Sequence, residues 1–230
     1  MIQNRRVALA FRIFAFLFAT AGVLAQIGVF GGNFYTEAFM YYTIQTNLLA
    51  VVLFAMLAAK TAISLREGKS GSAGWFARFE MVCVVNIMLT FAVFWLLISN
   101  RIDSAYLMSF ENISTHALTP LLCLADYIMF SEPRRLKYRD VYLTCVFPII
   151  YFVFVHAISI IGYTFDRSLI NEHIISADIP ASVRFPYFFL DYDRVGIMVL
   201  AYIAGILAFI LLLGHGIYAV DRKVRKYKSE

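Results

Sequence analysis

The stretch that decides the fold is FMYYTIQTNLLAVVLFAMLAAKTA, residues 39–62. From Phe39 to Ala59 it contains no Asp, Glu, Lys or Arg. Helical residues rise about 1.5 Å each, so roughly 20 of them cross a hydrocarbon layer of roughly 30 Å. Residues 39–62 therefore read as a membrane-spanning helix. Five further runs of that size read the same way, at residues 7–30, 79–99, 109–130, 141–163 and 195–220. Composition agrees, with 61% of the 230 residues hydrophobic and 15% charged, and a mean hydropathy of +0.74. That leaves too little polar surface to solvate a soluble domain of this size. The expected fold class is all-α: one polytopic domain over residues 1–230, a six-transmembrane-helix bundle.

Orientation follows from Lys and Arg, which concentrate in cytoplasmic breaks. Arg5 and Arg6 precede the first run; Lys60, Arg66, Lys69 and Arg78 flank the second break; Arg134, Arg135, Lys137 and Arg139 fill the fourth; residues 222–228 form a basic tail. All fall on one side. The other side holds residues 31–38 with no Lys or Arg, then Arg101 near Asp103, and residues 164–194 with Arg167 and Arg184. Both termini are expected to be cytoplasmic. The first run is too long for the roughly 7 to 15 apolar residues of a signal core and reads as a retained helix. The net charge of +5 collects at run ends, which indicates a solvated collar and no nucleic-acid partner. Cys83, Cys123 and Cys145 lie in apolar runs without CxxC spacing and read as buried packing residues. Residues 68–74, GKSGSAG, read as a flexible connector, and the sequon at Asn112-Ile113-Ser114 sits at a helix start. Short loops favour a bacterial inner membrane, or the endoplasmic reticulum if the source is eukaryotic.

A polar side chain in lipid needs a partner, so polar residues inside the runs mark the places where function is sought. Candidates are Tyr42, Thr43, Thr46 and Asn47 in the second run, His116 with Pro120 and Asp126 in the fourth, His156 in the fifth and His215 in the sixth. Thr43, about four residues inside its helix, and His116 and His156, about seven inside theirs, share an outer layer. Asn86, Asp126 and His215 belong to a deeper, cytoplasmic one. Thr43, Thr46 and Asn47 stand at i, i+3 and i+4 and share a helix face. A Thr hydroxyl beside an imidazole is a nucleophile and base pair when a ring nitrogen reaches the hydroxyl proton. Against this, Thr often bonds back to its own helix, and a lone intramembrane His often only links helices. Asp126 reads as the only carboxylate well inside a run, which weighs against a transporter. The aromatic segment at residues 184–191, RFPYFFLD, reads as an interfacial belt or as a cap over an outer cavity.

Taken together, Tyr42-Thr43-Ile44-Gln45-Thr46-Asn47, His116 with Pro120 and Asp126, and Pro186-Tyr187-Phe188-Phe189-Leu190-Asp191 resemble the androgen-induced protein family, which includes the androgen-dependent TFPI-regulating protein, and its bacterial six-helix relatives. The resemblance covers the chain in helix order through short motifs. It implies a transmembrane threonine hydrolase of fatty acid esters of hydroxy fatty acids, with no metal and no cofactor. By it Thr43 is the nucleophile, with Thr46 a rival, and His116 is the base. His156 takes a supporting polar role. This chain differs from the animal members in Gln45, Thr46 and Asn47. Chemistry of this kind needs oxyanion donors, for which Asn47 and His156 are candidates, while Tyr42, Tyr187 and Phe188 are expected to line the substrate path. The partner would be a membrane lipid or lipid ester. The rival readings are a non-catalytic lipid- or partner-binding protein and a small transporter.

Overall fold

A computed structural model of the protein describes residues 2–132, 135–166 and 182–223. Among them, six helices are long and apolar enough to cross a membrane: α1 (Arg5–Gln26), α2 (Tyr42–Arg66), α3 (Ala77–Arg101), α4 (Phe110–Phe130), α5 (Tyr138–Ile160) and α6 (Met198–Arg222). The protein is an all-α polytopic integral membrane protein. Every expected run becomes a helix, with ends shifted by up to four residues. α1 begins on an Asn4 cap, whose Oδ1 accepts from the Arg6 and Val7 amides. It stops at Gln26 and not near residue 30, because Gly28 turns the chain left-handed at φ 84°. α2 starts only at Tyr42, because Thr36–Met40 coils as a 3₁₀ turn.

Consecutive helices alternate in direction and give the bundle two ends. The basic end gathers Arg5, Lys60, Arg66, Lys69, Arg78, Arg135, Lys137, Arg139 and Arg222; Arg134, Arg167 and residues 224–228 lie outside the described residues. Arg78 pairs with Asp140 at 3.1 Å there, joining the starts of α3 and α5. At the opposite end Tyr163 donates to Glu37 at 2.8 Å, and Phe165 faces Val183 in a two-residue antiparallel ladder. α3 is central and touches α2, α4, α5 and α6, while α1 packs on α2 and α4. Half of the apolar windows of α3 and α4 is buried but only 17% of that of α6, so α6 is the peripheral helix.

The basic half holds a polar core that the sequence reading passed over. Arg12, wholly buried in α1, makes a forked pair with Asp126 at 2.8 and 2.9 Å and also donates to Thr61 Oγ1 and the Ala73 carbonyl. Asp126 is not alone: Glu80 is 1% exposed and takes a hydrogen bond from Ser131. The 68–74 connector is accordingly more than a flexible link. Ala73 is buried, Ser72 bonds Glu132, and a Cβ at Gly74 would lie 2.4 Å from the Glu132 amide nitrogen. Cys83 and Cys123 are buried as expected, whereas Cys145 is half-exposed. Asn112 of the sequon is fully buried and donates to the Leu107 carbonyl, which leaves it closed to glycosylation.

Candidate active site

Thr43 is the second residue of α2, shallower than its expected depth because of the 3₁₀ turn that precedes the helix. Its Oγ1 lies 3.3 Å from His116 Nε2. His116 sits in a π-helical segment of α4, Ser114–Leu118. Pro120 explains the widening, since it has no N–H and its ring crowds the carbonyl four residues back, that of His116. Trp95 Nε1 donates to that freed carbonyl at 3.0 Å. Trp95 belongs to a second π segment, Phe94–Ile98 of α3, and the Phe94 ring stacks on the imidazole with centroids 3.9 Å apart. Two widened turns therefore face each other and clamp His116 between them.

The imidazole tautomer follows from its partners. His116 Nδ1 lies 3.3 Å from the Asn112 carbonyl, which can only accept, and 3.2 Å from Thr115 Oγ1. The Thr115 proton is engaged with the Glu111 carbonyl at 2.7 Å. Nδ1 is therefore assigned the proton, and the Nε2 lone pair faces Thr43. That is the form a general base requires.

The other expected residues divide. Thr46 is buried, and the Tyr42 and Thr43 carbonyls (3.0 Å each) and Thr90 Oγ1 (2.8 Å) occupy its hydroxyl. It joins α2 to α3 and does not face His116. Asn47 spends both amide hydrogens on the Thr43 and Thr115 carbonyls at 2.8 and 3.1 Å, so it has no donor left for an oxyanion. His156 is held elsewhere: Nδ1 donates to the Phe152 carbonyl at 2.8 Å, and its ring packs on Phe152, Phe185 and Tyr192. α5 ends at Ile160, which puts His156 nearer its helix end than expected. Asn86 lies beneath the site and is linked to it: the Tyr42 hydroxyl donates to its Oδ1 at 2.5 Å, while its own amide donates to the Thr144 carbonyl of α5 at 3.2 Å. His215 does lie apart, against Tyr138 at the basic end.

Two kinds of cavity meet at Thr43. One, about 750 Å³ with its open mouth, is lined by Thr43, His116 and a polar rim that includes Gln26, Glu37 and Tyr106. Gln26 Nε2 donates to the Tyr106 hydroxyl at 2.9 Å, and burial pushes that phenol up to about 12, which keeps it neutral. The second, about 350 Å³, is lined by Thr43, Tyr42, Leu89, Phe94 and Phe189 and is nearly all apolar. It shares Tyr42, Leu89, Phe189 and Ile206 with a cavity of about 600 Å³ between α5 and α6 that Tyr187 also lines. Tyr42 and Tyr187, expected to line a substrate path, both line this cavity. Phe188 lines neither cavity: it lies under the Arg101 guanidinium at 4.0 Å, and Phe189 lines both instead.

The donors that Asn47 lacks are present at the start of α2. Its first amides have no helical partner, and Tyr41 supplies no side-chain cap. The Tyr187 phenol faces the Thr43 hydroxyl and the amides of Tyr42 and Thr43. Burial pushes this phenol up from its ordinary value and those neighbours only partly offset the shift, so it keeps its proton. Sequence reasoning missed Phe94, Trp95 and these amides. Pro120 was the one visible sign, since it announces a free carbonyl. No protein-family model, curated protein or solved structure matches the chain.

Proposed function

We propose that the protein is an intramembrane hydrolase of lipid esters, with Thr43 as nucleophile and His116 as general base. The observation that carries this reading is the 3.3 Å approach of His116 Nε2 to Thr43 Oγ1, with Nδ1 tied to a carbonyl. The pair coincides with the one singled out by the resemblance to the androgen-induced protein family. His116 takes the Thr43 proton while Oγ1 attacks the ester carbonyl. The resulting oxyanion lies toward the Tyr42 and Thr43 amides and the Tyr187 hydroxyl, and takes over the amides that face the phenol oxygen in the empty site. The imidazolium returns its proton to the leaving alkoxide, and an acyl-threonine remains. Water from the polar cavity, deprotonated by His116, then releases the acid and regenerates Thr43. By the positive-inside rule the basic end faces the cytoplasm, so this cavity opens on the other side. We place the protein in a bacterial inner membrane, which fits the short breaks between its helices.

The test is hydrolysis of a panel of lipid esters by detergent-purified protein, comparing wild type with Thr43→Ala, Thr46→Ala and His116→Ala after folding has been verified for each. Losing the base is expected to cost about 10²–10⁴-fold in rate, and Thr43→Ala should lose at least as much. Thr46→Ala should retain turnover. Activity that persisted in both Thr43→Ala and His116→Ala would overturn the reading and leave a lipid-binding protein as the better account.

A further inference from the structure

A surface groove of about 860 Å³ runs between α3 and α6, with Leu89, Val93 and Leu96 on one side and Met198, Tyr202, Gly205 and Ile206 on the other. Leu89, Val93 and Ile206 also line the cavity that Thr43 lines, so these three side chains form one wall shared by the groove and the site. On its open side the groove faces outward, with Leu96 and Met198 strongly exposed and α6 the least buried helix of the bundle. Apart from the Tyr202 hydroxyl, its side chains are hydrocarbon or thioether. The other way to Thr43, through the large cavity, passes Gln26, Tyr35, Glu37, Tyr41 and Tyr106.

From this we infer that the acyl chain of the substrate reaches Thr43 sideways from the bilayer, through the α3/α6 groove and between Leu89, Val93 and Ile206. The inference rests on the hydrolase reading and specifies its substrate as an ester whose chain stays in the membrane throughout. Each methylene of such a chain favours lipid over water and over a polar rim. In the groove it exchanges one apolar surrounding for another. The polar end of the ester then lies toward His116 and the rim, where water and the leaving group come and go. A short, water-soluble ester needs no groove and reaches Thr43 through the polar cavity.

Gly205 makes this testable without disturbing the fold. A Cβ built there meets no heavy atom within 4 Å, so the groove-lining backbone at this position has room to carry a side chain. Gly216 on the same helix has the same free space and lies three turns further toward the basic end, where it lines no part of the groove. Wild type, Gly205→Leu and Gly216→Leu are compared in lipid vesicles on palmitoyl and acetyl esters of one chromogenic alcohol. Gly205→Leu is expected to lower kcat/KM for the palmitoyl ester by about tenfold or more while leaving the acetyl ester within about twofold. Gly216→Leu should change neither. Equal effects of Gly205→Leu on both esters, or none on either, would overturn the lateral route while leaving the hydrolase intact. If wild type cleaves neither ester nor any of the lipid panel, the hydrolase reading itself fails and takes this route with it.

Discussion

Two carbonyl groups govern His116. The Asn112 carbonyl holds the proton on Nδ1, and the residue's own carbonyl, left without a helical donor by Pro120, takes the Trp95 indole. The ring therefore has one protonation form and one orientation, both aimed at Thr43. On the far side of Thr43 the Tyr187 phenol faces the Thr43 hydroxyl, where the proposed reaction would develop negative charge. Tyr187→Phe keeps the ring stacked on Phe189, at 5.2 Å in the native protein, and removes only the hydroxyl. Loss of one such donor is expected to lower kcat by about 10²-fold with KM little changed; steady-state kinetics showing a native kcat would exclude Tyr187 from oxyanion stabilisation. Thr43 and His116 stood in the sequence among several polar residues of the apolar runs, and the family resemblance singled them out as a pair. Tyr187 was named there only as a lining residue, since nothing in an aromatic segment tells which ring points at a helix start.

The helices themselves were legible because about 20 apolar residues in succession have few other solutions. Their ends and their local pitch were not. The three-residue shift at the start of α2 matters most, since it moves Thr43 into the first turn, among amides that have no partner within the helix. A π turn adds a residue without changing composition, so the facing segments Phe94–Ile98 and Ser114–Leu118 leave no mark beyond Pro120. The widened turn of α4 leans on α1 at Gly22, where a Cβ would come within 2.6 Å of Ser114 Oγ and 2.9 Å of its Cβ. Gly22→Ala is expected to push Ser114 away and displace His116 two residues further on, lowering both melting temperature and turnover. Ser114→Gly in the same chain should restore them, with a coupling of about 0.5–3 kcal/mol in a double-mutant cycle. Additive effects would show that the close approach of α1 does not set the position of the base.

At the scale of the molecule, two polar clusters among the described residues fasten the bundle, one toward each end, with Asn86 bonded to Tyr42 and to the Thr144 carbonyl between them. The site end joins α2, α3 and α4 around His116, while the basic half joins α1, α2, α4 and the 67–76 connection around Arg12. Arg12 was open to discovery in the sequence: a guanidinium in an apolar run demands a carboxylate, and Asp126 was already in view. Replacing Arg12 or Asp126 alone by Leu is expected to cost about 3–5 kcal/mol, because either change strands a buried charge, and replacing both should recover most of the loss. Unfolding in detergent measures this; a double variant no better than the singles would assign the cost to the Thr61 and Ala73 bonds instead. The same pair bears on how the protein is made. Its two halves lie 114 residues apart, so Arg12 leaves the ribosome long before its counter-charge exists. Until α4 is made, Arg12 in α1 lacks the carboxylate that forks onto it, so this pair can close only after the fourth helix has joined the first.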